Sequence, residues 1–145
     1  ANAEIAKAMS NYLSHSTGSP CSISQQAALA AFGESQEPSY EMKKAFDERR
    51  KYFYERVQNI PGVSCLMPEG AFYIFMNIKE LLGKTIKGIK INNSNDFASA
   101  FLEKGLVAVV PGSAFGADGY VRWSYATSME NIKEGLDRLE KFLAD

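Results

Sequence analysis

One arginine stands where a strand pattern would hold it beside an aromatic and a hydroxyl side chain. Residues 120–125 read Tyr-Val-Arg-Trp-Ser-Tyr, which is typical of a strand, where alternate side chains share a face. Tyr120, Arg122 and Ser124 therefore lie together, and the other three side chains form an apolar packing face. A planar guanidinium matches a carboxylate through two parallel N–H groups. The pattern fits a substrate-carboxylate pocket, but on periodicity alone it favours a structural ion pair with an Asp or Glu of the same domain.

The histidine and the cysteines offer less chemistry. His15 is the only histidine, so a zinc site or a Ser-His-Asp triad would have to be built around it. It lies in the small polar stretch 14–18, which predicts a loop and a non-catalytic histidine. Cys21 and Cys65 show no C-x-x-C spacing. We predict two buried or half-buried reduced thiols, no metal site and a cytoplasmic location.

The glycine-rich stretch 111–119 is a second place where a ligand could be expected. It matches neither G-x-x-x-x-G-K-[ST] nor G-x-G-x-x-G, the two common phosphate-binding patterns. We therefore predict a shaped turn between two strands. The aromatic residues near this stretch and near residue 70 are expected in the core rather than in a site: Phe72, Tyr73, Phe75 and Phe115.

The composition limits the classes of protein that the chain could be. It has 145 residues, 46% hydrophobic and 23% charged, with a formal net charge of −1. These values fit one folded domain with a short appendage. The charge balance offers no basic surface for nucleic acid or an anionic membrane. No apolar run approaches the roughly 20 residues that a membrane-spanning helix needs.

The periodicity predicts helices first and then a small sheet. We expect helices over residues 2–13 and 22–33, a long helix over residues 38–60, and a terminal helix with Ile132, Leu136, Leu139 and Phe142 on one stripe. Strands are expected at 71–76, as a central and covered strand, at 106–110 and at 120–125. The predicted class is α+β, a small antiparallel or mixed sheet with helices packed on it. Residues 1–37 are expected to belong to a different structural unit from residues 38–145.

Three segments together resemble the C-terminal motifs of class I aminotransferases. They are Pro-Glu-Gly-Ala-Phe-Tyr at 68–73, Val-Ala-Val-Val-Pro-Gly-Ser-Ala-Phe-Gly at 107–116, and Val-Arg-Trp-Ser-Tyr-Ala at 121–126. The stretch Ser-Thr-Gly-Ser-Pro at 16–20, with Gln-Gln-Ala-Ala at 25–28, is similar to the bacterial aspartate aminotransferase branch. The four occur in the family's order over nearly the whole chain.

The resemblance implies a role for several residues. Arg122 would bind the α-carboxylate of an amino acid or 2-oxo acid substrate, and aspartate is the expected amino donor. Phe72 would line the mouth of the active site, and Ser19 would lie in a loop that approaches the partner subunit's site. The fold implied is the small domain of the pyridoxal-phosphate transferases, with residues 1–37 from the end of the large domain and 38–60 as the interdomain helix. The parent protein would be a homodimer.

Other residues of the family pattern have no counterpart in this sequence. In the family, the lysine that forms the Schiff base with the cofactor follows a serine, and no lysine of this sequence does. The Schiff-base lysine and the residue that pairs with the pyridine nitrogen are therefore expected upstream, in a missing large domain. We therefore expect a C-terminal piece of a longer enzyme, inactive alone, with pyridoxal 5′-phosphate bound only in the parent. Two alternatives stay open: a pyridoxal-phosphate lyase of the same fold, and a non-enzymatic module that binds a carboxylate or a protein.

Overall fold

A computed structural model describes residues 2–144. Its five α-helices are α1 (Ala3–Ser16), α2 (Ser22–Gly33), α3 (Glu37–Gln58), α4 (Ser94–Ala100) and α5 (Met129–Leu143). Its strands are β1 (Tyr73–Asn77), β2 (Thr85–Ile86), β3 (Ile89–Lys90), β4 (Val110–Pro111) and β5 (Tyr120–Ser124). The α+β class predicted from the sequence is confirmed. The contacts divide the chain into two compact units, with the boundary between Tyr40 and Glu41.

The first unit contains the two N-terminal helices. α1 begins with a side-chain cap, because the side-chain Oδ1 of Asn2 accepts the Glu4 N–H at 2.9 Å. Ile5, Met9 and Tyr12 follow one another at helical spacing along α1, yet every described residue from 2 to 44 is exposed. The amphipathic pattern predicted the helix, and its apolar side chains are not buried within this unit.

The second unit is built on a three-stranded antiparallel sheet in the order β1-β5-β4. β5 lies in the centre, with Phe75 of β1 opposite Arg122 on one side and Val110 of β4 opposite Arg122 on the other. A separate hairpin, β2 with β3, completes the strand content of the described residues. The central strand therefore carries the residue that the sequence singled out.

One face of the sheet forms the core. Trp123 points to this face and contacts Phe53 of α3 edge-on, with ring centroids 5.3 Å apart, and Phe101 at 5.6 Å. Helix α5 buries the predicted stripe of Ile132, Leu136, Leu139 and Phe142 against the same cluster. The Arg56 guanidinium of α3 pairs with Asp137 at 2.7 Å and with Glu140 at 3.0 Å. Helices α3 and α5 are thus joined by apolar packing and by charge.

Two strand predictions were wrong in detail. The strand predicted at 71–76 is an edge strand, whose free side carries only one bridge, between Ser64 and Asn77. The prediction of a covered strand failed because the second apolar face of β1 is aromatic and open. The strand predicted at 106–110 is reduced to Val110–Pro111. Leu106 adopts a left-handed conformation with φ of 56° where helix α4 ends through the π-helical turn Phe101–Gly105.

Some helix ends also differ from the predictions. His15 lies in the last turn of α1 rather than in a loop. Helix α2 begins at Ser22 and ends at Gly33, as predicted, and the Gln25 side-chain amide donates to the Pro20 carbonyl just before it at 2.8 Å. The long helix predicted at 38–60 spans Glu37–Gln58.

The loop 112–119 joins β4 to β5 as a shaped turn. It includes a 3₁₀ turn, Gly112–Phe115. A Cβ atom at buried Gly112 would lie 2.2 Å from the Ala117 carbonyl oxygen, so only glycine fits there. The loop is held to α4 because the Asp118 carboxylate accepts the Ser94 N–H at 2.8 Å and the Ser94 hydroxyl accepts the Ser113 N–H at 3.2 Å.

The substitution Gly112→Ala is expected to destabilise the chain by about 2–3 kcal/mol, because the new methyl group overlaps backbone that cannot move without breaking the turn. Urea unfolding of the chain measures the effect. Gly70→Ala is the matched control, since a Cβ atom there would meet nothing within 4 Å. Equal losses for the two variants would contradict the packing argument.

The Asp118 carboxylate gives a pH-dependent prediction. Hydrogen bonds from Ser94, through its side chain and its backbone N–H, lower the pKa of Asp118 below its ordinary value of 3.8. A depressed folded pKa stabilises the fold above the unfolded pKa, and that contribution is lost as the pH falls through the folded pKa. At pH 7 the urea midpoint of the unsubstituted chain should therefore be higher than that of Asp118→Asn. The two midpoints should converge as the pH falls below about 4. A gap that is unchanged at low pH would exclude this role for the carboxylate.

Candidate functional site

Arg122 lies on the sheet face opposite the core. It is the middle residue of β5, and its neighbours in the strand, Val121 and Trp123, are buried on the other face. The guanidinium is half-buried, and it contacts two aromatic rings. Its Cζ atom lies 4.3 Å from the centroid of Tyr73 and 4.4 Å from that of Phe115. Both distances are within the range of a cation–π contact.

Arg122 has neither an ion pair nor a side-chain hydrogen bond among the described residues. By contrast, Arg50, Arg56 and Arg138 each lie within 3.1 Å of a carboxylate oxygen. The structural ion pair that the strand pattern favoured is therefore absent from residues 2–144. A guanidinium held in this way has its N–H groups available for an anion from outside this part of the chain.

The sequence predicts a core position for the aromatic residues near Arg122. In the structure they form an open aromatic surface instead. Phe72, Phe75 and Phe115 are between 38% and 48% exposed. The Phe75 ring stacks on Tyr120 at 5.0 Å and meets Phe115 at 6.3 Å. A groove of about 810 Å³ borders this surface, between the segment Ser64–Pro68 and the side chains of Tyr73, Phe75 and Tyr120.

The Phe72 ring lies between Tyr73 of β1 and Phe46 of α3, whose ring centroid is 6.3 Å away. The centroids of the Phe72 and Tyr73 rings are 4.4 Å apart. Tyr125 fixes the backbone here, because its hydroxyl donates to the Ala71 carbonyl and its N–H donates to the Phe72 carbonyl, both at 2.9 Å. Ala71 accordingly adopts a positive φ of 58°, which turns the chain immediately before β1. Among the described residues, Phe72 is thus linked to Arg122 only through the Tyr73 ring, and its role at the pocket stays a prediction.

Ser19 belongs to the other compact unit. It is exposed in the short loop between α1 and α2, and its role as a pocket residue stays a prediction. Cys65 is half-buried, as predicted, and burial raises the pKa of its thiol to about 11. The prediction was wrong for Cys21, which is exposed because it lies in the loop before α2. Within residues 2–144, no three His, Cys, Asp or Glu side chains are grouped so that they could hold a metal ion.

Tyr73 and Phe115 are the site residues that the sequence did not single out. The two-residue spacing of Tyr73 and Phe75 indicates a shared face, but only the register of β1 against β5 brings Tyr73 to Arg122. Phe115 reaches Arg122 from the turn after β4, and no periodicity of the sequence predicts that contact.

The described lysines do not fit a covalently held pyridoxal phosphate. All of them are exposed, whereas a Schiff-base lysine needs a shielded environment that favours its neutral form.

No helix in the described part of the chain is long and apolar enough to cross a membrane.

Comparison with known proteins gives a consistent result. The model of the family "Aminotransferase class I and II" matches residues 1–139. The chain is 44% identical to the aspartate aminotransferase of Bacillus subtilis over 140 residues, which are 97% of this chain and 35% of that protein. It is 42% identical to the aspartate/prephenate aminotransferase of Nitrosomonas europaea over 144 residues, 98% of this chain and 36% of that one.

A solved structure extends the similarity to the fold. The aspartate aminotransferase of Rhizobium meliloti superposes with a TM-score of 0.87 and 40% identity, over 97% of this chain and 35% of that chain. The chain thus spans about a third of the length of the curated relatives it matches. On the family match and on these identities, the chain belongs to the class I and II aminotransferases.

Proposed function

We propose that this chain provides the substrate-carboxylate site of an aminotransferase that moves an amino group between an amino acid and a 2-oxo acid. Arg122 binds the α-carboxylate, and aspartate is the proposed amino donor. The observation that carries the proposal is the half-buried guanidinium on an open face, with no anionic partner among residues 2–144. The names of the relatives, aspartate and aspartate/prephenate aminotransferases, support the reaction class.

The contacts of Arg122 explain why it suits this task. A guanidinium donates two parallel N–H groups to the two oxygens of a carboxylate, so it fixes the position and the orientation of the substrate. Correct orientation of the reacting bond lowers the barrier by proximity. The rings of Tyr73 and Phe115 shield the cation from water, and partial shielding strengthens its attraction to an anion.

The other elements of the proposal lie at the edges of this site or outside the chain. Phe72 is proposed to line the mouth of the pocket, and Ser19 is proposed to lie in a loop that approaches the partner subunit's site. Residues 1–37 are proposed to belong to a large domain, and residues 38–145 to a small domain that α3 links to it. The whole protein is proposed to be a cytoplasmic homodimer that uses pyridoxal 5′-phosphate, held by residues that this chain does not contain.

The test is made in a chimera, in which this chain replaces the matching 140-residue segment of the Bacillus subtilis aspartate aminotransferase. In that chimera Arg122→Lys should lower kcat/KM for aspartate by about tenfold or more, the equivalent of roughly 1.4 kcal/mol, because lysine keeps the charge but loses the two-pronged contact. Steady-state transamination with aspartate and 2-oxoglutarate measures the change.

Arg138→Lys in the same chimera is the control. Arg138 pairs with Glu134 on the surface of α5, and such exposed pairs contribute little, so kcat/KM should stay within about twofold. An active chimera in which Arg122→Lys behaves like Arg138→Lys would remove Arg122 from the substrate site.

A second prediction concerns the chain by itself. Because its described lysines are all exposed, added pyridoxal phosphate should leave only low-occupancy adducts spread over several lysines. Reduction with borohydride followed by peptide mass spectrometry measures the distribution. A stoichiometric adduct at one lysine would contradict the proposal that the cofactor is held elsewhere.

A further inference from the structure

We propose that Tyr73 and Phe115 are positioning residues, whose rings hold the Arg122 guanidinium in one orientation with its N–H edge free for the carboxylate. This inference rests on the proposed function of Arg122 and adds two residues to it. The orientation is then set before the substrate arrives and does not depend on an acidic partner.

The two rings reach the arginine from different sides of β5. Tyr73 belongs to β1, opposite Ser124, and Phe115 ends the 3₁₀ turn that follows β4. Strands β1 and β4 flank β5 on its two sides. The nearly equal distances from Cζ to the two centroids, 4.3 and 4.4 Å, indicate that both rings contact the cation and that neither is incidental.

Each ring is itself supported. The Tyr73 ring contacts Phe72 at 4.4 Å, and the Phe115 ring meets Phe75 edge-on at 6.3 Å. The turn that carries Phe115 ends at Gly116, which has a positive φ of 70°, and begins at Gly112, packed against the Ala117 carbonyl. A side chain fixed by supported neighbours holds a site more accurately than one that is free in solvent.

The benefit of this arrangement is conformational. An arginine side chain has several rotatable bonds, and a mobile one must be ordered when it binds a ligand. In most sites a carboxylate does the ordering, but an acid beside Arg122 would compete with the substrate for the same N–H groups. Aromatic faces attract the cation without occupying those groups, so they order the side chain and leave its binding edge unused.

The first test measures Arg122 in this chain without a ligand. Nitrogen-15 NMR reports the rate of rotation about the Nε–Cζ bond of each arginine. We expect Arg122 to rotate slowly, and Tyr73→Leu or Phe115→Leu to speed its rotation by at least about twofold. Tyr73→Phe keeps the ring and should restore the slow rate. Arg122 rotating equally fast in the parent chain and in both leucine variants would overturn the proposal.

The second test separates positioning from stability. In the chimera, Tyr73→Leu and Phe115→Leu should each raise KM for aspartate by about two- to fivefold with kcat unchanged, since they weaken a contact made equally in the ground and transition states. A purely structural role would lower the active fraction, and so the apparent kcat, at constant KM. That outcome, or an unchanged KM, would contradict the proposal.

Tyr52→Leu is the matched control. The Tyr52 ring also contacts an arginine, Arg56, at 5.8 Å from its centroid, but on α3 and away from the open sheet face. It should leave KM unaltered, and Arg56 should be the only arginine whose rotation changes. A rise in KM with this variant would show that the leucine effects are not specific to Arg122.

The two proposals can fail separately. If Arg122→Lys leaves kcat/KM unchanged, the substrate role of Arg122 is wrong, and the KM prediction fails with it, whatever the rotation rates are. If Arg122→Lys lowers kcat/KM while the leucine variants change neither KM nor the rotation, Arg122 binds the substrate but the rings do not position it.

Discussion

The alternation of side chains along β5 is the constraint on which the second unit depends. One strand places Val121 and Trp123 in the core and Arg122 on the opposite face. Because β5 is paired on both sides, it cannot slide by one residue without burying a guanidinium and exposing an indole ring. The packing of α3 and α5 against Trp123 therefore also determines where the arginine stands. Stability and the position of the candidate site come from the same register.

A half-buried cation without an acidic partner is costly in most folds. Arg50, Arg56 and Arg138 of this unit pair with carboxylates. Arg49 is closer to Arg122 in this respect, since it has no ion pair among the described residues and lies over one ring, that of Phe46, at 5.4 Å. At Arg122 two aromatic faces replace the carboxylate. They offset part of the desolvation cost and leave the N–H groups of Arg122 without a protein partner among the described residues, while solvent can still reach the partly exposed side chain.

The elements that are determined by a short repeat of apolar side chains, at helical or strand spacing, were predictable from the sequence. The apolar stripe of α5 and the two faces of the strand at residues 120–125 are confirmed, because burial imposes these periods directly. The order of the strands was not predictable. The run Tyr73-Ile74-Phe75 has apolar side chains on both faces and therefore predicts a covered strand, because a sequence cannot distinguish an aromatic face in the core from an open one. Phe115 was assigned to the core for the same reason. Its contact with Arg122 needs both the turn of residues 112–115 and the pairing of β4 with β5.

The position of Trp123 determines what the intrinsic fluorescence of this chain reports. It is the only tryptophan of the chain, it is 5% exposed, and its indole Nε1 has no hydrogen-bond partner among the described residues. Such an indole emits at short wavelength, because no water relaxes around its excited state, and it reports directly on the integrity of the contact with Phe53 and Phe101. Its neighbour in the strand, Arg122, lies on the other side of the sheet. The tryptophan fluorescence of this chain therefore follows the melting of the core, on the side of the sheet opposite Arg122.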